Sequence, residues 1–591
     1  MTVSIKGWRR RATLGLALTA GALGLFGAQA ARAAQTAAPL SCRAATPLEA
    51  LAYTTPLAMP GVVSPRDGTC FLKSLKVTRP DGVRLAANVF LPAGASSGAG
   101  TARYPAVIFI TSWASADFFE YLGQQQRLAR DGYIAVAYTT RGFWDSEGSI
   151  GVAGPGDLAD VSGVLDWTLA QTPADPARVG AAGISYGAGL SLLALGREPR
   201  LRTAVALSGW ATLLDQMYGN QVPNPTWMNI LQLSGQLTGR LDPIVAEYNA
   251  AIQNPDTPAA KIAEIAAWGW QRSPASAVAA INQRGAPVFI GKNWQDDMFS
   301  PNSSLALFGQ LTVPKKLMLQ PGIHASAELP GALLDVDNAI WDQAHRWFDR
   351  WLKGQANGIE NEPQVSLQPK FQAYRETLST WPAPELRSLD YQITPRGARR
   401  WDLSCLCWRG VAGQLQAGQR STSGRDSIGN ALDTSATTGP IPVLSPLAES
   451  VGLPVVNQMA TVLPAFGIRY EGPLLRQALK LRGAPALRLS AVPSQQRGML
   501  VAYLYDVDVA GFGTLITHGA RAVHAATPGQ SQDFGFDMVA TGYDVPAGHR
   551  LVLVFDTQDS LYGPPVRAGE RFDMALDFGS GSPLQLKLPT R

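Results

Sequence analysis

Residues 178–195 read RVGAAGISYGAGLSLLAL, in which one serine, Ser185, has Gly183 and Gly187 two positions to either side. In a chain with 59 glycines the bare G-x-S-x-G spacing decides little, and the flanks carry the weight. Before the serine the residues are small and apolar, as in a short buried strand. After it, YGAGLSLLALGRE has the periodicity of a helix packed closely on a sheet. Strand, sharp turn, helix is the layout that exposes a serine hydroxyl as a nucleophile, and it aims the Tyr186 N–H at a developing oxyanion.

A serine needs a base, and the base needs a carboxylate to orient it. Only five histidines are present: His324, His345, His518, His524 and His549. All follow the serine, and the last three fall in a later β-rich region. His345 lies in AIWDQAHRWFDRWLKG, whose strong amphipathicity gives it a structural role. His324 follows an apolar run that ends in Pro321-Gly322, so it is expected on a loop, where a base belongs. The acid should lie between serine and base, after another strand. GAPVFIGKNWQDDMFSP offers Asp296 and Asp297; Asp296 is favoured because Phe299 then completes an Asp-x-x-apolar pattern. The predicted triad is Ser185, Asp296 and His324.

These residues need a frame. LKVTRPDGVRLAANVF reads as a hairpin around Pro80-Asp81-Gly82. YPAVIFITSW and YIAVAYTTRG read as strands, and DLADVSGVLDWTLAQ as a helix. Alternating strands and helices imply an α/β fold with a mainly parallel sheet. Residues 212–280, rich in Ala, Leu, Trp and Gln, interrupt that alternation and read as an inserted helical cap. Beyond Trp381-Pro382 the helix signals thin out, and alternating runs such as HRLVLVFDT predict a β-sandwich. The expected organisation is a signal peptide over 1–33, a catalytic domain over 34–384 and a β-sandwich over 385–591.

Composition narrows the function classes. Charged residues are 16 % of the chain and the net charge is +5. The basic residues are scattered without interleaved aromatics, which argues against a nucleic-acid partner. Lys6 and Arg9 to Arg11 precede the apolar run ATLGLALTAGALGLFG and then the small-residue sites AQA and ARA, the layout of an export signal by a general or a twin-arginine route. The mature protein is expected to be secreted or periplasmic, without a membrane span. Of the four cysteines, Cys42 and Cys70 can pair, whereas a bridge between Cys405 and Cys407 would be strained. Neither pair has a histidine at metal-ligand spacing, so neither metal nor cofactor is expected. Oligomeric state is left open.

Four segments resemble the serine hydrolases that include Xaa-Pro dipeptidyl-peptidases, cocaine esterase and α-amino-acid ester hydrolases: GISYGAG, TTRGFWDSEG, HRWFDRWLKGQANGIENEPQV and YDVPAGHRLVLVF. The resemblance implies an α/β-hydrolase domain with a helical cap, a C-terminal jelly roll and the same triad. Two departures stand out. The second elbow glycine is Ala188. Where many members carry a tyrosine whose hydroxyl helps hold the oxyanion, this chain reads Thr111-Ser112-Trp113. Trp113 is therefore expected to complete the oxyanion hole, through its backbone N–H or its indole N–H.

The expected function is cleavage of an ester, amide or short peptide through an acyl-enzyme. A dipeptidyl-peptidase is the second reading; it needs a carboxylate for the substrate's free amine, with Asp215, Asp242 and Glu247 as candidates. A third is a glycan- or cell-wall-binding protein on a hydrolase scaffold that no longer catalyses.

Overall fold

The computed structural model describes residues 40–53, 59–95, 102–397, 400–402, 407–409, 411–418, 423–579, 581 and 584–591. The expected signal peptide and Cys405 lie outside the described residues. Cys42 and Cys70 are joined by a disulfide.

Twelve strands form the first sheet: β1 (Arg43–Ala44), β2 (Val62–Val63), β3 (Cys70–Thr78), β4 (Arg84–Leu91), β5 (Tyr104–Ile110), β6 (Ile134–Tyr138), β7 (Ala174–Ile184), β8 (Leu201–Leu207), β9 (Val288–Asn293), β10 (Lys315–Gln320), β11 (Val365–Leu367) and β12 (Glu376–Leu378). Their order is β1-β2-β3-β4-β6-β5-β7-β8-β9-β10-β11-β12, and the run from β6 to β11 is parallel throughout. The hairpin around Pro80-Asp81-Gly82 joins β3 to β4, with Thr78 opposite Arg84.

The central strands are apolar on both faces because both are covered. Along β5, Ala106, Ile108 and Ile110 enter one core cluster and Val107 and Phe109 the other. The helix Tyr186–Arg197 packs into the first cluster and Ala339–Leu352 into the second. That second helix carries His345, which is buried and bonded through Nε2 to Gln124 Oε1 at 2.8 Å. Its role is structural, as its amphipathic setting predicts.

Between β8 and β9 the chain leaves the sheet to build the cap, from helices Leu213–Met217, Pro225–Thr238, Pro243–Gln253 and Ala259–Gln271, and the helix Val278–Arg284 returns it to the elbow helix. The cap has a small core of its own, made of Met228, Tyr248, Ile252 and Ile265.

A second sheet begins at Arg387 and gathers fourteen strands around a separate core, the β-rich domain the alternating runs predict. Two contacts lock it to the catalytic domain. Asn302 donates to the Met538 carbonyl (2.9 Å) and accepts from the Ala540 N–H (2.7 Å). Arg482, fully buried, forms ion pairs with Glu376 of β12 and, at 2.7 Å, with Asp544. The cap is held from the same side: Asp256 pairs with Arg497 at 2.8 Å and with Arg567 at 2.7 Å.

Removing one partner of a buried, hydrogen-bonded ion pair leaves the other charge uncompensated. Arg482→Ala is expected to cost about 3–5 kcal/mol of stability. Urea unfolding of the variant beside the parent measures it; a change below about 1 kcal/mol would show that water solvates Glu376 and Asp544 in place of the guanidinium.

Candidate active site

Ser185 stands at the end of β7, at the N-cap of the helix Tyr186–Arg197, with φ 54° and ψ −115°. A side-chain-bearing residue with positive φ is strained, and here its neighbours leave no other path. A Cβ on Gly183 would lie 2.3 Å from the carbonyl carbon of Gly187, and one on Gly187 would lie 1.9 Å from the Ile110 carbonyl oxygen. The two glycines are thus required by close approach. Ala188, the departure from the family pattern, is fully buried; a Cβ on Gly209 would lie 2.8 Å from the Ala188 methyl. The methyl at 188 is accommodated because residue 209 has none.

His324 lies on the loop after β10 and Asp296 on the loop after β9. Backbone bonds lace these loops together: Trp294 N–H to the Gln320 carbonyl (2.9 Å) and Gln295 N–H to the Gly322 carbonyl (3.0 Å). His324 Nε2 is 2.7 Å from Ser185 Oγ, and Nδ1 is 3.1–3.2 Å from the two oxygens of Asp296. An ionised Asp296 only accepts, so Nδ1 carries the proton and Nε2 is free to accept from the serine hydroxyl. The Phe299 ring meets the imidazole edge-on with centroids 5.0 Å apart, and the Phe299 N–H donates to Asp296 Oδ1 at 2.9 Å.

The sequence reading missed the residue beneath the triad. Lys292, on β9, is fully buried; its ammonium donates to Asp296 Oδ2 at 2.7 Å and to the Gly209 carbonyl at 3.1 Å. Burial works to raise the Asp296 carboxyl, but the Lys292 ammonium and His324 outweigh it and hold the carboxyl down at about 2. A lysine four residues before the acid, at the end of a strand, was the available signal.

Asp297 turns away from the histidine. It accepts from the Trp227 indole of the cap at 3.0 Å, and burial together with the Asp296 charge pushes its carboxyl up to about 7. Its part is to tie the cap to the loop of the triad acid, a contact reinforced by Asn224, which donates to the Asp297 carbonyl at 3.0 Å.

Trp113 follows β5 beside the serine. Its indole N–H donates to the Leu231 carbonyl (2.9 Å) and to Ser234 Oγ (3.2 Å), both on the cap helix Pro225–Thr238. The indole alternative for an oxyanion donor is therefore corrected: that N–H is engaged by the cap. Among the described residues the backbone N–H groups of Trp113 and Tyr186 have no protein acceptor. The Trp113 turn is held from below by buried Glu120, which accepts from the Ser112 N–H at 2.8 Å and contacts the Ser112 hydroxyl, itself 2.9 Å from the Ile184 carbonyl. Burial raises the Glu120 carboxyl. The Tyr186 hydroxyl faces away from the serine: it accepts from the Ala153 N–H (2.6 Å) and donates to buried Asp157 (3.1 Å). Burial and the neighbouring Asp160 push the Asp157 carboxyl up to about 7.

The candidate amine-binding carboxylates do not reach the serine. Asp215 accepts from the Thr212 hydroxyl, Asp242 caps the helix Pro243–Gln253, and Glu247 pairs with Lys261 on an exposed face. None of them lines the cavity that Ser185 opens into.

A serine at a strained strand-to-helix turn, hydrogen-bonded to a loop histidine at the edge of a mainly parallel sheet, with a β-rich domain behind, places the protein among the α/β-fold serine hydrolases. The comparisons narrow this class. Residues 81–326 match the X-Pro dipeptidyl-peptidase (S15) family, and residues 357–579 match the X-Pro dipeptidyl-peptidase C-terminal non-catalytic domain. The chain thus carries a segment similar to the catalytic domain of that family and, after it, one similar to the family's C-terminal domain. A Bacillus cereus protein provisionally named an Xaa-Pro dipeptidyl-peptidase is 23 % identical over 277 residues, 45 % of this chain and 41 % of that one. The chain thus spans about two fifths of the length of the Bacillus relatives it matches. A Mycobacterium bovis protein provisionally named a serine esterase is 23 % identical over 601 residues, 83 % of this chain and 90 % of that one. A solved CocE/NonD family hydrolase from Staphylococcus aureus superposes with a TM-score of 0.64 at 12 % identity, over 88 % of this chain and 94 % of that one, a likeness of fold.

Asp157 and Asp297, both pushed up to about 7, bind protons more tightly in the folded chain than in the unfolded one, where an aspartate titrates near about 3.9. Unfolding between those values releases protons, so their contribution is full below about pH 4 and is lost as the pH rises to about 7. The free energy of unfolding is expected to be lower at pH 8 than at pH 5. The difference should shrink in Asp297→Asn, whose amide oxygen still accepts from Trp227. Urea titrations at both pH values test this; an undiminished difference in the variant would show that Asp297 ionises normally in the folded protein.

Proposed function

We propose that the protein cleaves a carboxylic ester or amide through an acyl-enzyme, with Ser185 as nucleophile, His324 as general base and acid, and Asp296 as the carboxylate that orients His324. The observation that carries this is the unbroken hydrogen-bonded chain from Ser185 Oγ through both imidazole nitrogens to Asp296.

Ser185 gives its proton to His324 Nε2 as Oγ attacks the carbonyl carbon. The oxyanion that forms is received by the backbone N–H groups of Tyr186 and Trp113, both without a protein acceptor among the described residues. His324, now charged, faces the Asp296 carboxylate and passes the proton to the leaving group. A water then repeats the sequence in reverse roles and frees Ser185. Lys292 holds Asp296 ionised throughout, so the proton shuttles between Ser185, His324 and substrate without resting on the acid.

The esterase reading is preferred over a dipeptidyl-peptidase because no acidic side chain among the described residues lines the Ser185 cavity, where a substrate's free α-amine would need one. Export to an oxidising compartment is part of the proposal. Its supports are the basic-then-apolar order of the first residues and the Cys42–Cys70 disulfide.

Ser185→Ala should abolish turnover in a folded protein, with a loss on the order of 10⁶ in kcat if the site behaves as a well-studied serine protease does. Asp296→Asn should lower kcat by about 10⁴. Steady-state kinetics on a p-nitrophenyl ester and circular dichroism of each variant are the measurements; near-parental rates in folded Ser185→Ala would refute the assignment. Trp113→Phe separates the two donors of that residue. It keeps the backbone N–H and removes the indole bond to the cap, so kcat should stay within about tenfold while stability falls by about 1 kcal/mol. A loss of 10²–10³ in kcat, the usual cost of an oxyanion donor, would return the indole to the oxyanion hole.

A further inference from the structure

The cavity beside Ser185 extends along the inner side of the cap. Its walls include Trp113, Tyr186 and Trp210 around the serine and Met228, Tyr248 and Ile252 from the core of the cap. Its polar wall groups are already engaged: Asn249 is bonded to Gln232 and, at 2.7 Å, to Gln253, and the Tyr248 hydroxyl donates to Glu264 at 2.7 Å. No charged side chain among the described residues lines it. The inner walls are also the core of the cap: Met228, Tyr248, Ile252 and Ile265 are the buried residues on which these helices pack. The cap therefore closes around a void that an apolar guest would fill. Away from the Ser185 end, where the oxyanion donors lie, a water there would meet apolar side chains and polar groups that already have partners.

Orientation follows from the triad. The leaving group of an acyl transfer must sit by His324 Nε2 to collect its proton, and His324 is not part of this wall. The oxyanion donors, Trp113 and Tyr186, are part of it. The cavity therefore lies on the side of the acyl group, opposite the departing alcohol or amine.

We infer that the protein is selective for esters of uncharged, apolar acyl chains, which thread past Trp113 and Tyr186 into the core of the cap. This rests on the serine-hydrolase mechanism proposed above. Each methylene that leaves water for the cavity contributes to transition-state binding, which corresponds to about a fourfold gain in kcat/KM per added carbon until the void is full. A charged α-amine on the acyl group would have to enter the same apolar wall unpaired, so α-amino acyl esters should be poor substrates.

The test uses the full chain and two ester series: p-nitrophenyl esters of growing acyl chain, and acetates of growing alcohol chain. kcat/KM is expected to climb along the acyl series, then break, and to stay flat along the alcohol series. Gly269 lies on the cavity wall, and a Cβ there meets nothing nearer than Leu214 at 3.7 Å, so Gly269→Leu should move the break to a shorter acyl chain. A flat acyl series, a climb along the alcohol series alone, or a preference for Xaa-Pro anilides or α-amino acyl esters would overturn the inference. Labelling of Ser185 by a fluorophosphonate distinguishes the two failures. Labelled protein with a flat acyl series loses only the acyl-chain assignment, whereas protein that neither labels nor turns over any ester loses the mechanism and this inference with it.

Discussion

The helix that follows Ser185 is pressed against the sheet more closely than side chains allow. Gly187 approaches the Ile110 carbonyl, and Gly183 approaches Gly187, at distances where any Cβ would collide. That contact fixes the turn, and the turn fixes everything the site needs. It throws the Ser185 hydroxyl clear of the sheet toward His324, and it sets the Tyr186 N–H at the free start of a helix, where no carbonyl of the same helix can take it. It also brings β7 beside the end of β5, so that the Trp113 turn, braced by Glu120, faces the same point. The loops after β9 and β10 bring the acid and the histidine to a position already decided.

The interior of this site is charged, and the charges are settled locally. Asp296 has no solvent contact and is held ionised by Lys292 and His324. Glu120 and Glu328 are equally buried, but their partners are neutral hydroxyls and amides, and burial raises both carboxyls. Glu328 accepts from Ser208 at 2.8 Å and from Asn293 at 2.9 Å, beneath the loop that carries His324. Similar side chains thus serve two ends. The one beside a cation is a permanent anion that faces the imidazole. The others have only neutral partners, burial raises their carboxyls, and they hold loops in place from beneath.

The sequence showed this architecture where its signals were local. A strand-turn-helix around Ser185, a hairpin at Pro80-Asp81-Gly82 and a helical interruption between two strands are periodicities and turn residues that act within a few positions of one another. Of the five histidines, three fall in the later β-rich region and one in an amphipathic helix, which left few ways to complete a triad, and chain order chose among them. Lys292 was not legible as a partner of Asp296, because its meaning depends on being sealed under the cap and β8. The direction of the Trp113 indole was not legible either: its acceptors lie about a hundred residues on, in a helix whose docking angle no local pattern encodes. The carboxylates Asp215, Asp242 and Glu247 read alike as cap charges. Only the fold shows that they cap, brace and pair rather than face the cavity.

Ala188 and Gly209 share a space that holds one methyl group. The two positions sit on different elements, the elbow helix and the segment that leaves β8 for the cap, so nothing in the local sequence couples them. They are coupled in space all the same: a methyl at one position closes the other. With Ala188 in place, residue 209 is confined to glycine, and its carbonyl remains where Lys292 uses it. An alanine in the elbow thereby limits which residues the neighbouring strand end can hold.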